Sequence, residues 1–364
     1  MEYKNVNFSS GSSAVSSSLN TLAPYIGRLR PECAKFLINK YADTAIFDPF
    51  CGCGTILLQG WIDGYDVYGN DMSPYAQVLS LGKLNPYPTL DEALNHLFIY
   101  NNLVTREKRR ISLDSTPEWV KAFYHPETLK ETIAWMNCLK RNKEYFFISC
   151  LLGILHHQRP GFLSYPASHG APYLRTSKYP RNIYPEMYAY KNVFDRLQAK
   201  VQRVYKNFPI LDYSKARIIW GKDASAMRLG KVPRATIITS PPYMRSLTYA
   251  RDNRLRLWFL GLNDWKALDT KISPTAQDFA NMMTKCLKKW SQYQLANDKC
   301  IIIIGDITLP QSDKAQNLAE FLEHSATPYY RLIEAYQDPI PEIKKLVKGN
   351  TRIKREIIIA LERR

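Results

Sequence analysis

Two short stretches hold residue types whose combination can do chemistry. In "ATIITSPPYMRS", residues 235–246, an apolar run breaks into Thr239, Ser240, Pro241, Pro242 and Tyr243. Proline has no N–H and a fixed φ, and it biases the residue before it toward extended backbone. The strand end is therefore expected to be a rigid rim whose carbonyls are open to accept hydrogen bonds. An exocyclic amine on cytosine or adenine is a poor nucleophile, because its lone pair is delocalised into the ring. The Ser240 hydroxyl and the Pro241 carbonyl are two acceptors that could hold both N–H groups and favour a tetrahedral nitrogen with its lone pair exposed. Tyr243 offers a stacking face to a base taken out of its helix. Alone, such a turn is more often structural than functional, and its surroundings decide.

The second stretch is "FDPFCGCGT", residues 47–55. Gly52 and Gly54 let the backbone approach a ligand at the carboxyl end of a strand, the usual binding place in an open α/β sheet. A pyrophosphate loop would show a third glycine, but Gly54 is followed by Thr55, Ile56 and Leu57. Asp48 beside the loop would repel phosphate and suit a cation. Further on, "YDVYGND" ends at Asp71, where an acid accepts hydrogen bonds from ribose hydroxyls. A ligand with a ribose and a positive charge but no phosphate fits both acids, which points to S-adenosylmethionine. The plain alternative makes each acid a strand-end cap.

These residues need elements to position them. "TAIFDPF" reads as a short buried strand, the residues from about Thr55 to Trp61 as a helix, and "YDVYGND" as a second strand, which is the βαβ unit of a parallel sheet. "RPECAKFLINKYA" reads as a helix starting at Pro31. Strands resume at "ARIIWGKDA", "ATIITSPPY", "KCIIIIGDI", "YRLIEAYQ" and "REIIIALER". The expected fold is α/β: a seven-stranded, mostly parallel, Rossmann-like sheet whose last two strands form an antiparallel edge pair. Residues 1–20 read as a flexible Ser-rich arm, and 21–90 with 211–364 as the catalytic domain. Residues 91–210 show helical periodicity around a turn-rich aromatic stretch and read as an inserted helical region.

The chain of 364 residues has a net charge of +17, which suggests a polyanionic partner. Residues 101–210 carry 18 Lys and Arg against 8 Asp and Glu, so the surplus is concentrated in the inserted region. Within it, Arg175, Lys178 and Arg181 are candidate nucleic-acid contacts, joined by Arg245 and Tyr249 after the Pro-Pro loop. The seven cysteines are scattered, and neither "CGC" nor any His pair supplies a zinc set, so reduced thiols and no metal are expected. His156 and His157 end an apolar helix and are expected to be packing or surface residues. With no long apolar span and no apolar segment like that of a signal peptide, a cytoplasmic protein without membrane contact is expected.

Taken in order, "DPFCGCGT", "GNDMSPYA", "GKDA" and "TSPPY" resemble the S-adenosylmethionine-dependent amino-methyltransferases of DNA, the N4-cytosine and N6-adenine enzymes. The resemblance runs from about residue 21 to 364 outside the inserted region, and "PYIGRLRPECAKFLI" resembles the segment that packs on the methionine end of the cofactor. It implies that Tyr25, Asp48, Pro49, Phe50, Gly52, Gly54 and Thr55 line the cofactor, that Asp71 beside Met72 holds the ribose, and that Asp223 and Ala224 lie near the adenine. It makes Ser240, Pro241, Pro242 and Tyr243 catalytic. Serine at the first catalytic position is more typical of the cytosine enzymes, so methylation of cytosine N4 in a flipped base of double-stranded DNA is expected. A restriction-modification or phage-defence setting follows, with a cognate restriction endonuclease as candidate partner. The alternatives are N6-adenine methylation, amino-methylation of tRNA by a similar loop pair, and a DNA-binding module without catalysis. The cofactor loop precedes the catalytic loop here, and the inserted region precedes "GKDA".

Overall fold

Short apolar runs closed by glycine, proline or an acid become the strands of one sheet, and the amphipathic stretches between them cover its two faces. The computed structural model describes residues 1–8, 17–230, 232–242, 249–272, 274–306, 308–309, 316–339 and 355–364. In chain order the elements are β1 (Lys4–Asn5), α1 (Pro31–Tyr41), β2 (Ala45–Asp48), α2 (Thr55–Ile62), β3 (Val67–Asn70) and α3 (Pro74–Leu84). Then come α4 (Leu90–Lys108), α5 (Glu118–Lys121), α6 (Pro126–Arg141), α7 (Tyr145–Ile154), α8 (Val193–Val204), β4 (Arg217–Trp220) and β5 (Ala235–Thr239). The last part holds α9 (Tyr249–Asp252), α10 (Arg254–Leu260), α11 (Trp265–Ile272), α12 (Ala276–Tyr293), β6 (Lys299–Gly305), β7 (Thr308–Leu309), β8 (Gln316–Asn317), α13 (Leu318–Ala326), β9 (Tyr330–Pro339) and β10 (Arg355–Arg363).

Among the described residues the main sheet has eight strands in the order β1-β9-β10-β6-β5-β2-β3-β4, and β7 pairs with β8 separately. The pairs among β4, β3, β2, β5 and β6 are parallel, while β10 runs antiparallel to both β6 and β9. The class is the expected mostly parallel α/β sheet. From β2 the chain moves to β3 on one side and later returns to β5 on the other. That reversal opens a crevice beyond the carboxyl ends of β2 and β5, where open α/β sheets bind ligands.

Besides the separate β7–β8 pair, the main sheet has one strand more than the expected seven, and the added strand is β1. Lys4 and Asn5 pair in parallel with Tyr336 and Gln337, and Ser18–Thr21 form a 3₁₀ turn that buries Leu19. These parts of the expected arm lie on the fold, held by backbone pairing and one apolar anchor. The final strands do pair antiparallel, but β10 lies inside the sheet, between β9 and β6. Its run from Ile357 to Leu361 is buried at every position, so both its faces are covered, whereas β9, between β1 and β10, buries Tyr330, Ala335, Tyr336 and Asp338 and leaves Arg331, Ile333 and Pro339 exposed.

One sheet face packs Ile46, Leu57 and Leu79 with Leu97, Trp135, Phe147 and Leu197 in a continuous core. The region expected as an insertion thus shares its core with the sheet through α3, α4 and α6–α8. The opposite face packs Phe47, Ile237 and Ile302 against α12 and α13. At about 25 cal/mol per Å² of apolar surface removed from water, such burial is what holds the strand ends in place. No helix among the described residues is long and apolar enough to cross a membrane.

Candidate functional site

The loop after β2 is shaped by its two glycines. Gly52 and Gly54 have φ of +50° and +73°, the left-handed region that favours glycine. A Cβ on Gly52 would stand 3.3 Å from the Tyr25 ring, and one on Gly54 would stand 2.8 Å from Ser80 Oγ and 3.1 Å from the Ser80 backbone. The loop is therefore pressed between the segment before α1 and helix α3. Ser80 Oγ donates to the Gly52 carbonyl at 2.9 Å, and the Gly52 N–H donates to Asp71 Oδ2 at 2.9 Å. Asp71 Oδ1 accepts the Ser73 N–H at 2.8 Å, which fixes the start of α3.

Asn70, fully buried, ties three loops together. Its Nδ2 donates to the Pro49 carbonyl at 3.2 Å and the Lys222 carbonyl at 2.9 Å, and its Oδ1 accepts the Lys222 N–H at 2.9 Å. The loops after β2, β3 and β4 are thus held at fixed spacing.

Thr239, the last residue of β5, joins this frame to the Pro-Pro rim. Its Oγ1 donates to Asp48 Oδ1 at 2.6 Å, and the Phe50 N–H donates to the same carboxylate oxygen at 3.2 Å. Burial pushes the Asp48 carboxyl up to about 7, against the lowering effect of those two hydrogen bonds and with a further push from the Asp71 charge. Burial also raises Asp71, to about 6, against the N–H groups of Ser73 and Gly52. Two desolvated carboxyl groups on the floor of a cleft make a place for a cation, because a nearby positive charge favours their ionised forms. Burial and the Asp71 charge push the Tyr25 hydroxyl well up, so it stays neutral.

The cleft brings together Tyr25, Asp48, Pro49, Phe50, Gly52, Thr55, Asp71, Met72, Asp223, Ala224, Ser240, Pro241, Pro242 and Tyr249. Gly54 supports it from behind, at the N-terminus of α2. Tyr243 and Arg245 lie outside the described residues. Asp223 Oδ1 accepts both the N–H and the hydroxyl of Ser225 at 2.8 Å; it caps its own turn and faces the cleft as well.

Arg175, Lys178 and Arg181 are not in the cleft. They are exposed on the turn-rich segment, where Arg175 Nη1 donates to Gln158 at 2.9 Å, Lys178 lies 5.7 Å from the Tyr179 ring centroid and Arg181 5.7 Å from that of Tyr188. That segment is joined to the helix following the rim. Arg254 lies 4.7 Å from the Tyr173 ring centroid and donates to the Pro172 carbonyl, and buried Arg256 donates to the carbonyls of Gly170 and His169 at 3.3 and 3.4 Å. His156 and His157 are buried and pack beside this joint.

Among the other residues of the cleft, Arg28, Leu29 and Lys222 lie inside the stretches that carry the resemblance without a role of their own, and Lys271, Ile272 and Met282 lie outside them. Asn70 had a signal, since it directly precedes Asp71. Lys271 had none: it reaches the cleft because Asp269 Oδ1 accepts the Ala250 N–H at 3.0 Å and docks α11 on α9. All seven cysteines are buried and unpaired. Among the described residues no group of three or more His, Cys, Asp or Glu could hold a metal ion.

No family model matches the chain. One stretch is 44% identical over 67 residues to the type II methyltransferase M.MvaI of Kocuria varians, a match that spans 17% of this chain and 15% of that relative's length. Among solved structures, the chain is similar to TrmN from Thermus thermophilus, at 10% identity and a TM-score of 0.36, over 95% of this chain and 52% of that one. It is also similar to the rRNA methyltransferase AviRa of Streptomyces viridochromogenes, at 11% identity and a TM-score of 0.34, over 97% and 92% of the two chains.

Proposed function

We propose that this chain is an S-adenosylmethionine-dependent amino-methyltransferase that acts on the exocyclic N4 of cytosine in double-stranded DNA. The observation that carries the reading is the hydrogen bond between Thr239 and Asp48, because it joins a Ser-Pro-Pro rim to a floor that holds the buried Asp48 and the half-buried Asp71 within one cleft. The floor suits a cationic ligand with a ribose. When bound, S-adenosylmethionine supplies an electrophilic methyl on its sulfonium. Asp71 retains acceptor capacity for ribose hydroxyls, since each carboxylate oxygen has two lone pairs and each is engaged once by backbone. Ser240 Oγ and the Pro241 carbonyl accept the two amine N–H groups and aim the nitrogen lone pair across the cleft. Proximity and alignment of this kind can lower a barrier by about 7–11 kcal/mol. The segment of 91–210 that carries Arg175, Lys178 and Arg181 is assigned to target recognition, and the setting to cytoplasmic restriction-modification or phage defence with a cognate endonuclease.

Ser240 stands where, by the resemblance, serine is more typical of the cytosine enzymes, and this favours cytosine over adenine. The test is to incubate the chain with labelled S-adenosylmethionine and mixed DNA and RNA, digest to nucleosides and identify the labelled product by mass. N4-methyldeoxycytidine is expected. N6-methyldeoxyadenosine would overturn the choice of base, label confined to RNA would overturn the choice of polymer, and failure to bind the cofactor in calorimetry would leave only a DNA-binding module.

A further inference from the structure

The cleft presents more positive charge than the proposed cofactor can engage. Arg28, Lys222 and Lys271 all line it and all are exposed. S-adenosylmethionine offers one carboxylate and no phosphate, and Arg28, three residues after Tyr25, lies on the segment assigned to that end. Lys222 and Lys271 are left over. Among the described residues neither ammonium has a hydrogen bond or ion pair, so they are not counter-ions to Asp48 or Asp71, whose hydrogen bonds come from Thr239 and from backbone N–H groups.

Both lysines are nevertheless on fixed backbone. The side chain of Asn70 holds the N–H and the C=O of Lys222. Lys271 is on α11, which the Asp269–Ala250 hydrogen bond locks to the first turn of α9, and Tyr249 of that turn lines the same cleft. An exposed ammonium with no partner among the described residues, on hydrogen-bonded backbone and lining the same cleft as Ser240–Pro242, is suited to a second anion that arrives with the substrate. We propose that Lys222 and Lys271 contact backbone phosphates of the DNA next to the extruded nucleotide. The inference rests on the functional reading above for the identity of the polymer. A lysine is a compact point charge that binds phosphate without reading sequence, so the two set affinity and salt dependence and leave sequence choice to other residues.

The test does not need turnover. The full chain, saturated with S-adenosylhomocysteine, is titrated against a fluorescent DNA duplex over a range of salt concentrations, and the slope of log K against log salt is read. Each phosphate contact contributes about 0.9 to that slope on B-DNA. Lys222→Gln and Lys271→Gln should each reduce it by about 1 and the pair by about 2, equally for unrelated sequences, and Lys→Arg at either position should restore it. An unchanged slope in the double variant overturns the inference. So does a tenfold loss of S-adenosylhomocysteine affinity, which would assign the lysines to the cofactor carboxylate, or a change seen on RNA and not on duplex DNA. Absence of methyl transfer by the unaltered chain would defeat the functional reading while the slope change still stood.

Discussion

Asp71 Oδ2 accepts the Gly52 N–H at 2.9 Å, so the acid that ends the β3 turn holds the glycine loop that follows β2. The same carboxylate therefore shapes the cleft and faces its ligand. Asp71→Ala should weaken S-adenosylmethionine binding at least tenfold in calorimetry. It should also cost about 1–3 kcal/mol in urea unfolding, because two backbone N–H groups lose their acceptor. Intact cofactor affinity in this variant would remove Asp71 from the site.

The raised carboxyl groups of Asp48 and Asp71 give a pH signature. Both keep their protons in the fold to higher pH than the ordinary value of 3.8, up to about 7 and about 6. Their contribution to the stability of the free protein is therefore full below about pH 4 and is lost as pH rises through 6 and 7. Cofactor binding runs the other way, since a cation favours the ionised acids, so affinity should rise between about pH 5.5 and 8 with release of protons. Calorimetry in buffers of different ionisation enthalpy measures that release, and Asp48→Asn should flatten the profile.

The rim should affect turnover and not cofactor binding. Ser240→Ala, Pro241→Ala and Tyr243→Ala should each lower kcat by about a hundredfold or more, with cofactor affinity within a few-fold, as expected when a group acts on the reacting amine alone. A tenfold loss of cofactor affinity would mean that the rim belongs to the cofactor half of the cleft.

Asn70 should matter to both halves. Asn70→Ala removes the partners of Lys222 and Pro49 in a buried position, at a cost of about 1–3 kcal/mol or more in denaturant unfolding. It should also loosen the loop that carries Lys222, so that cofactor and DNA affinities fall together.

The burial of both faces of β10 predicts an asymmetry with its neighbour β9. Ile358, fully buried, should cost about 2–5 kcal/mol when changed to Ala, whereas Ile333 on β9, 39% exposed, should cost less than about 1 kcal/mol. Equal costs in chemical denaturation would argue against this difference in burial.

Much of the framework was legible in the chain because short-range rules govern it. Apolar runs ending in Asp48, Asp71 and Thr239 mark strands with polar carboxyl ends, Pro31 marks a helix start, and left-handed turns select Gly52 and Gly54. Those signals need only a few neighbouring residues. Strand order, the docking of Lys4 and Asn5 on β9, and the place of β10 inside the sheet depend on pairings between segments tens to hundreds of residues apart, which local periodicity does not encode. The same holds in the cleft. Its aspartates and prolines declared themselves by type and spacing, but the Thr239–Asp48 bond, the Asn70 latch and the arrival of Lys271 exist only because packing brings distant segments within hydrogen-bond reach. The raised carboxyl groups follow from that packing too: their residue types are written in the chain, and their shifted acidity arises from the burial that only the tertiary structure creates.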